Sequence, residues 1–280
     1  MTSQAIVVTG ASSGIGEASA KLLASTGFAV FAGVRDDAAA RELEAAHPQI
    51  TALRLDVTDA ASIAAAYERV RETGVTLRGL VNNAGISVAG PLEILPIDEL
   101  RRQFEVNVFG QIAVTQAFMP MLRASRGRIV FVGSIAGRLA PPLVGAYAAS
   151  KFALRALTDT LRIELMPAGI DVALIEPGAV KTPIWQKGRN AKDAMVERTG
   201  AHPAAVHYAT AIEKIVAVTH HAEANGLEAV VVAAAILEAL TSRRPRARYV
   251  LGTEANIQSI IAWLPPRLRD RLIRKSLKLD

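Results

Sequence analysis

Short runs of β-branched and apolar residues alternate with longer stretches of helical periodicity across the first 180 residues. The runs are apolar on both faces, as expected when helices cover both sides of a sheet. Strands that alternate with helices predict βαβ units, and therefore an α/β fold with a doubly wound parallel sheet. The candidate strands are residues 5–9, 29–34, 51–55, 80–82, 128–132 and 171–175, and the candidate helices are residues 15–25, 60–71, 99–123 and 146–166.

The alternation stops after Pro177-Gly178. Residues 183–205 contain several prolines and glycines and predict an irregular segment. Helical periodicity returns at about 204–222 and 227–240, and residues 248–251 are a candidate seventh strand. Since no flexible linker and no internal repeat is present, residues 1–280 are expected to form one domain with a basic helical tail at about 254–280.

Composition excludes several classes of protein. The chain is 51% hydrophobic and 21% charged, which predicts a sizeable packed core. Its longest apolar stretch, residues 229–237, is about half the length of a transmembrane helix. The chain contains no cysteine, which excludes disulfides and thiolate nucleophiles. Its five histidines form no zinc-binding pattern, so no metal site is predicted. No secretory signal is readable at the N-terminus, so a cytoplasmic location is expected.

The net charge of +6 is concentrated at the C-terminus. Residues 267–280 carry six basic and two acidic side chains, which leaves a nearly neutral body and argues against a nucleic-acid-binding domain. Leu268, Leu272, Ile273 and Leu277 form an apolar stripe of helical period in this tail. Two interpretations stay open: a terminal helix packed on its own subunit, which we favour, and a peripheral helix docked on anionic lipid.

A glycine-rich turn joins the first strand to the first helix in the sequence Thr9-Gly10-Ala11-Ser12-Ser13-Gly14-Ile15-Gly16. Small residues let the backbone approach a pyrophosphate, and the helix N-terminus supplies N–H donors to the anion. The turn lacks the Gly-Lys-Ser/Thr ending of a nucleoside-triphosphate loop, which argues against a kinase or ATPase. Dinucleotide binding is therefore favoured over an ordinary glycine-rich turn.

A tyrosine and a lysine stand four residues apart on a candidate helix, at Tyr147 and Lys151. Positions i and i+4 share a helix face, so both side chains can point into one pocket. An adjacent cation lowers the pKa of a phenol, which is near 10 when free. The ordinary alternative is an amphipathic helix with a surface lysine. Ser134 closes the fifth candidate strand and places a hydroxyl at the carboxyl edge of the sheet.

Two further polar features are ordinary when taken alone. Asn82-Asn83-Ala84-Gly85 follows the fourth candidate strand and is compatible with a simple turn. Asn107 lies in an otherwise apolar candidate helix and is compatible with a hydrogen-bonded core amide. Residues 82–85 lie where a ligand would bind, because ligands of open parallel sheets sit at the carboxyl ends of the strands.

Taken together, these residues resemble the short-chain dehydrogenase/reductase family. The turn from Thr9 to Gly16 matches its T-G-x3-G-x-G motif, residues 82–85 match its N-N-A-G, and Tyr147 with Lys151 matches its Y-x3-K. Asn107, Ser134 and Pro177-Gly178 fall where the family carries its helix asparagine, catalytic serine and P-G motif. The resemblance covers about residues 4–182, in the family's order and spacing.

The resemblance implies a Rossmann-type fold of about seven strands with helices on both faces, and hydride transfer between a nicotinamide cofactor and an alcohol or ketone. Tyr147 would be the general acid/base, and Ser134 would position the substrate oxygen. Lys151 would lower the tyrosine pKa and bind the ribose, and Asn107 would support a proton relay. A non-catalytic redox sensor is the alternative, although the presence of Tyr147 and Lys151 argues against it.

The resemblance also implies a set of cofactor-binding residues. At the end of the second strand, Val34 occupies the family's usual acidic position and Arg35 follows it, which favours NADP(H) over NAD(H). Asp36 would pair with Arg35, repel a phosphate or begin the next helix. The full cofactor set is Thr9, Gly10, Ser12, Ser13, Gly14, Ile15, Gly16, Arg35, Asp56, Val57, Asn83, Ala84, Gly85, Tyr147, Lys151, Pro177, Gly178, Val180 and Thr182.

The substrate is expected to be a small, apolar alcohol or ketone. Ile184 and Trp185 suggest an apolar lining for residues 183–205, a segment expected to close over the substrate. The residues beyond 200 faintly resemble steroid- and retinoid-active members of the family, and a lipid-like substrate would suit the same lining. A homodimer or homotetramer is expected from the family.

Overall fold

The computed structural model describes residues 4–184 and 202–277. Seven parallel strands form one sheet in the order β3-β2-β1-β4-β5-β6-β7. This confirms the predicted doubly wound sheet. The strands are β1 (Gln4–Val8), β2 (Ala29–Val34), β3 (Ile50–Arg54), β4 (Thr76–Asn82), β5 (Arg128–Val132), β6 (Asp171–Pro177) and β7 (Arg248–Leu251).

Helices cover both faces of the sheet. The described α-helices are α1 (Gly14–Ser25), α2 (Asp37–Ala46), α3 (Ala60–Glu72), α4 (Ile97–Phe104), α5 (Gly110–Ser125), α6 (Gly145–Leu165), α7 (Ala209–Asn225), α8 (Ala229–Thr241), α9 (Thr253–Ile261) and α10 (Pro266–Ser276). Within the same residues, no helix is both long and apolar enough to span a membrane.

Successive residues of each strand enter two separate cores. In β1, Ile6 and Val8 join a cluster with α1 and α8, whereas Ala5 and Val7 join a cluster with α3, α5 and α6. Side chains alternate across a strand, so a sheet covered on both faces needs apolar residues at every position. This explains the uninterrupted apolar runs of the sequence.

The longest apolar stretch of the chain lies in a helix that buries one face. This helix is α8, whose Val232, Ala233 and Ile236 are fully buried, and α8 packs against α1 on one side of the sheet. The buried face belongs to the first cluster, whereas Val230 and Val231 are 54% and 44% exposed.

The predicted helix at 99–123 is in fact two helices. A π-helical turn, Glu105–Phe109, separates α4 from α5 and contains Asn107. Gly110 begins α5 where a Cβ atom would lie 2.6 Å from the carbonyl oxygen of Val57, so only glycine lets the helix approach the loop after β3 this closely. Such π turns are frequent at functional sites, and Asn107 is fully buried within this one.

Candidate active site

The loops that follow the carboxyl ends of β1 to β6 enclose a cavity of about 660 Å³. Parallel α/β sheets place ligands at this edge. The structure brings most of the predicted site residues together in its walls, namely Gly10, Ser12, Ser13, Gly14, Ile15, Arg35, Asp56, Val57, Asn83, Ala84, Gly85, Ser134, Tyr147, Lys151, Pro177, Gly178, Val180 and Thr182.

Three predicted residues lie behind the cavity wall: Thr9, Gly16 and Asn107. Thr9 is fully buried, and its Oγ1 accepts hydrogen bonds of 3.0 Å from the backbone N–H groups of Asn83 and Ala84. A Cβ atom on Gly16 would lie 2.2 Å from the carbonyl oxygen of Gly10. Thr9 and Gly16 therefore support the turn from behind the cavity wall.

The turn between β1 and α1 fits a dinucleotide pyrophosphate. Gly10 and Gly14 have φ values of +64° and +59°, which side chains disfavour, and a Cβ atom on Gly10 would lie 2.7 Å from the Cα atom of Ala84. The Nδ2 atom of Asn83 donates 3.0 Å hydrogen bonds to the carbonyls of Thr9 and Gly10 and fixes the turn to the β4 loop. The result is a narrow backbone cradle beside the N-terminus of α1, and helix N-termini are favourable positions for anions.

Three of the predicted catalytic side chains line the cavity together. Ser134 follows β5, and its Oγ accepts a 3.1 Å hydrogen bond from the N–H of Ala136. Tyr147 and Lys151 lie one turn apart on α6, and the Lys151 Nζ is 5.7 Å from the centroid of the Tyr147 ring. The same Nζ donates a 2.9 Å hydrogen bond to the carbonyl of Val132, so α6 is tied to the end of β5.

Burial controls the pKa values of Tyr147 and Lys151. It raises the pKa of the Tyr147 phenol, although a hydrogen bond with Ser134 opposes the increase. It lowers the pKa of the Lys151 ammonium to about 8. The expected lowering of the Tyr147 pKa by Lys151 is therefore not found in this structure. The physical reason is that desolvation of the phenol dominates, while the ammonium binds the Val132 carbonyl.

A buried amide network supports α6 and the loop after β4. The Asn107 side chain accepts from the N–H of Ile86 at 2.8 Å, and it donates to the Ile86 carbonyl at 3.0 Å and to Ser150 Oγ at 3.2 Å. Gln103, fully buried on α4, bonds the same carbonyl and the N–H of Val88. The sequence analysis missed Gln103 and Ser150. The i, i+4 spacing of Gln103 and Asn107 is the signal that points to a shared face.

Arg35 lies at the rim of the cavity. Its guanidinium is largely exposed and lies 3.7 Å from the Asp56 carboxylate. Burial alone would raise the pKa of Asp56, but hydrogen bonds from Thr58 and the charge of Arg35 lower it overall. Asp36 accepts hydrogen bonds from two N–H groups in the first turn of α2, at 2.6 and 3.3 Å. Of the roles considered for Asp36, the structure shows helix capping.

The site geometry agrees with the comparison to known sequences. The profile described as short chain dehydrogenase matches residues 4–193. The chain belongs to the short-chain dehydrogenase family. It is accordingly an oxidoreductase whose relatives act on hydroxyl or keto groups.

Two relatives and one solved structure illustrate the range of this family. The NADPH-dependent 3-dehydrocapnine reductase of Ornithobacterium rhinotracheale is 36% identical and covers 97% of this chain and 96% of its own. Human 11-beta-hydroxysteroid dehydrogenase type 2 is 35% identical over 98% of this chain and 70% of its own. A short-chain dehydrogenase of Burkholderia phymatum in complex with NAD has a TM-score of 0.79 at 29% identity, covering 93% of this chain and 92% of its own. Members similar to this chain thus use NAD or NADP.

This short-chain dehydrogenase holds an ion pair behind Ser134 that sequence reasoning missed. Arg138 follows the 3-10 turn Ile135–Gly137, and its guanidinium makes a two-point contact with the fully buried carboxylate of Glu176 on β6. That hydrogen bonding raises the pKa of Arg138 despite its burial. The pair joins the loop after β5, which contains Ser134, to the end of β6. Arg-carboxylate pairs with two contacts are geometrically specific, so it fixes the loop.

The remaining walls of the cavity come from the C-terminal part of this short-chain dehydrogenase. Ile184 lines the cavity, whereas residues 185–201, including Trp185, lie outside the described residues, so closure of residues 183–205 over substrate stays a prediction. Side chains of α9 and α10 also line the cavity, which favours the interpretation of the tail as packed on its own subunit. Within residues 4–184 and 202–277, no group of three His, Asp or Glu side chains could hold a metal ion.

Proposed function

We propose that this enzyme transfers a hydride between NADP(H) and the carbonyl or alcohol group of an apolar substrate. The observation that carries the proposal is the juxtaposition of Ser134, Tyr147 and Lys151 in one cavity wall, in the cavity that the Gly10–Gly14 turn also lines. When bound, the nicotinamide supplies or accepts the hydride, so the protein needs only to orient the substrate and manage one proton.

Ser134 is proposed to hold the substrate oxygen. Its Oγ accepts from the N–H of Ala136 and hydrogen-bonds to the Tyr147 phenol, so a substrate carbonyl oxygen placed between the two hydroxyls is a suitable acceptor for both protons. A hydrogen bond to that oxygen stabilises the charge that develops on it during hydride transfer.

Tyr147 is proposed to exchange the proton with that oxygen. Its raised pKa keeps the phenol protonated at neutral pH, which suits a general acid and therefore the reduction of a carbonyl. Lys151, with a pKa near 8, is positioned to take part in proton exchange and to donate to the ribose. Asn107 is proposed to support the relay from behind, by holding the Ile86 backbone and Ser150 beside Lys151.

The preference for NADP(H) is proposed to depend on Arg35. Val34 offers no acceptor for a ribose hydroxyl, and the exposed Arg35 guanidinium is available for charge-assisted hydrogen bonds to a 2′-phosphate. Capping of α2 occupies Asp36, so it does not compete for Arg35. The NADPH dependence stated for the Ornithobacterium relative supports this choice.

An apolar substrate is proposed from the character of the walls. Beside the reactive residues, the cavity is lined by Ile86, Leu139, Pro141, Val144 and Ile184. Relatives named as hydroxysteroid and retinol dehydrogenases support a hydrophobic alcohol or ketone. The alternative of a non-catalytic redox sensor is not favoured, since both Tyr147 and Lys151 are present in the cavity wall.

A homodimer is proposed from an exposed apolar face near α5 and α6. Ile163 and Met166 are 67% and 68% exposed at the end of α6, Phe152 lies three turns earlier on the same face, and Phe109 precedes α5 with 57% exposure. Apolar side chains of this size are common in subunit interfaces. A cytoplasmic location stays a prediction.

The test of the proposed function is a reductase assay with purified protein. Oxidation of NADPH and of NADH is followed by absorbance against a panel of apolar ketones, for the parent and for Tyr147→Phe. We expect turnover with NADPH in the parent and loss of turnover, with cofactor binding retained, in Tyr147→Phe. A parent that binds NADPH but reduces no ketone and oxidises no alcohol would overturn the proposal.

A further inference from the structure

The backbone hydrogen bonds between β5 and β6 end just before Ser134. The two strands pair in parallel up to Val132 and Ile175, and the N–H of Gly133 donates a 2.8 Å hydrogen bond to the carbonyl of Ile175. The ladder cannot continue through Pro177, because proline has no N–H to donate. Ser134 therefore lies beyond the ladder, and side-chain contacts must fix its position relative to β6.

A hydrogen-bonded turn connects Ser134 to Arg138. The N–H of Gly137 donates to the Ser134 carbonyl at 2.9 Å, and the N–H of Arg138 donates to the Ile135 carbonyl at 2.9 Å. The Ser134 hydroxyl belongs to the same turn, because its Oγ accepts from the N–H of Ala136 at 3.1 Å. A displacement of Arg138 is therefore transmitted to the Ser134 hydroxyl.

The Arg138–Glu176 pair anchors this turn to β6. The Arg138 Nε donates a 2.9 Å hydrogen bond to one carboxylate oxygen of Glu176, and Nη2 contacts the other oxygen. The Arg138 side chain is 14% exposed and the Glu176 side chain is fully buried. Two parallel contacts between planar groups fix both a distance and an angle, whereas a single contact would let the turn pivot. The pair thus holds the two chains together where the backbone ladder has ended.

The same turn is also held against α6, the helix that carries Tyr147. The Arg155 Nη1 donates a 3.3 Å hydrogen bond to the Gly137 carbonyl. A Cβ atom on Gly137 would lie 2.9 Å from the Lys151 carbonyl oxygen, so the turn and the helix are in close contact. The turn is therefore fixed on two sides, by β6 through Glu176 and by α6 through Arg155.

Stability alone does not account for a charged pair at this place. Both charges lose water on burial, and apolar residues of similar volume often give a protein of equal or greater stability. Contact with a substrate does not account for the pair either, since neither Arg138 nor Glu176 lines the cavity. What the pair supplies, and an apolar contact does not, is a defined direction between β6 and the turn that begins at Ser134.

We propose that Arg138 and Glu176 are positioning residues, which hold the Ser134 hydroxyl where it and the Tyr147 phenol reach the same substrate oxygen. The inference rests on the proposed function of Ser134 and Tyr147. The pair takes no part in proton or hydride transfer and acts only through Ser134. A misplaced hydrogen-bond donor stabilises the developing charge poorly, so loss of the pair lowers the rate of the chemical step.

The first test compares Arg138→Lys with Arg128→Lys in the ketone reductase assay. Lysine keeps the charge but makes only one-point contacts. Arg128 is the matched control, because it also lies on the β5 segment, is 8% exposed and pairs with an acid of β6, Asp171, but at the opposite end of the strands. For Arg138→Lys we expect kcat to fall about 10- to 100-fold while the Kd for NADPH stays unchanged. Arg128→Lys should keep the parent kcat.

The second test separates position from stability. The double variant Arg138→Met with Glu176→Leu removes both charges, so its Tm should recover most of what Glu176→Leu alone loses. Its kcat should stay as low as that of Arg138→Lys, because apolar contacts do not fix the direction of the turn. A double variant that recovers both Tm and kcat would overturn the proposal, since the pair would then serve stability alone.

The third test asks whether the pair acts through Ser134. Ser134→Ala removes the hydroxyl, so adding Arg138→Lys to it should lower kcat no further. Losses that multiply in this double variant would overturn the proposal, because Arg138 would then act on the reaction by another route.

A measurement without substrate separates this inference from the proposed function. If the parent reduces no ketone, the proposed function fails. Amide hydrogen exchange of residues 133–139 still tests the anchor, and it should be faster in Arg138→Lys than in the parent and in Arg128→Lys. Equal exchange in all three proteins would overturn the positioning role.

Discussion

Replacing Gly10 by alanine is expected to damage the cofactor turn by an amount that the structure allows us to work out. A left-handed φ costs an L-residue about 1–2 kcal/mol, and a less flexible unfolded chain returns about 0.4–1 kcal/mol. The new Cβ would also lie 2.7 Å from the Cα atom of Ala84, so one of the two backbones must move. Overpacking of that kind adds about 1–3 kcal/mol, so we expect Gly10→Ala to lose about 1–5 kcal/mol of stability.

The same shift displaces the backbone that is proposed to cradle the pyrophosphate. We expect the Kd for NADPH to rise about tenfold or more, since small displacements of binding groups cost this much. Cofactor affinity is measured by fluorescence titration, and stability by thermal unfolding at several concentrations of NADPH. The stabilisation by added NADPH should be much smaller in Gly10→Ala than in the parent.

Gly74 provides a matched control for the conformational cost alone. Its φ of +67° is close to that of Gly10, but a Cβ atom there would have no neighbour within 4 Å. Gly74→Ala should lower Tm by about 2–4 °C, as for a loss near 1 kcal/mol, and leave the Kd for NADPH unchanged. A Gly10→Ala variant that binds NADPH as tightly as the parent would refute the reasoning, because the clash with the Ala84 backbone would then have no consequence for the site.

Three further predictions concern the reactive residues and the cofactor. Tyr147→Phe should lower kcat by roughly 10²–10⁴-fold in the reductase assay, which is the effect expected when a general acid is lost. The control is Tyr67→Phe, which should retain full activity, because Tyr67 lies on α3 and its ring packs against Phe118. Arg35→Ala should reduce the kcat/KM for NADPH relative to that for NADH by roughly 10- to 150-fold. The control Arg54→Ala, which removes an exposed arginine paired with Asp37, should leave this ratio unchanged. An unaltered ratio in Arg35→Ala would show that Arg35 does not select the cofactor. Between pH 8 and about 10 the unfolded chain still binds the Lys151 proton, whereas the folded protein has released it. The free energy of unfolding of the parent, measured by denaturant titration, should therefore rise with pH relative to that of Lys151→Met. If the two free energies changed in parallel with pH, the lowered pKa of Lys151 would be contradicted.

The strand order and the site motifs show how far local sequence carries the prediction. The runs at 29–34, 128–132 and 248–251 coincide with β2, β5 and β7, because continuous apolar runs of this length are buried only in a sheet covered on both faces. Ser134 and the turn after β1 are found at the cavity for the same reason, since the ends of parallel strands meet at one edge.

Other features depend on contacts that local pattern does not encode. The π turn before α5 interrupts a segment whose helical periodicity in the sequence is continuous. Asn107 lies in this turn and hydrogen-bonds to the backbone of Ile86 in the loop after β4, a contact that local sequence does not reveal. The raised pKa of Tyr147 likewise follows from desolvation of the phenol at the cavity wall, which the spacing of residues along the helix does not reveal.

The sequence by itself determined the class of fold, the order of the reactive residues and the family, because these follow from periodicity and from short motifs at strand ends. Only the tertiary structure decided which residues hold the site in place and which distant helices complete the cavity wall. Arg138 and Glu176 meet across 38 residues of sequence, and α10 lies more than a hundred residues after Tyr147 yet lines the same cavity. Such contacts depend on packing between segments that are distant in the sequence. Burial and charge pairing stabilise them only after the sheet has brought the segments together, so local sequence patterns do not reveal them.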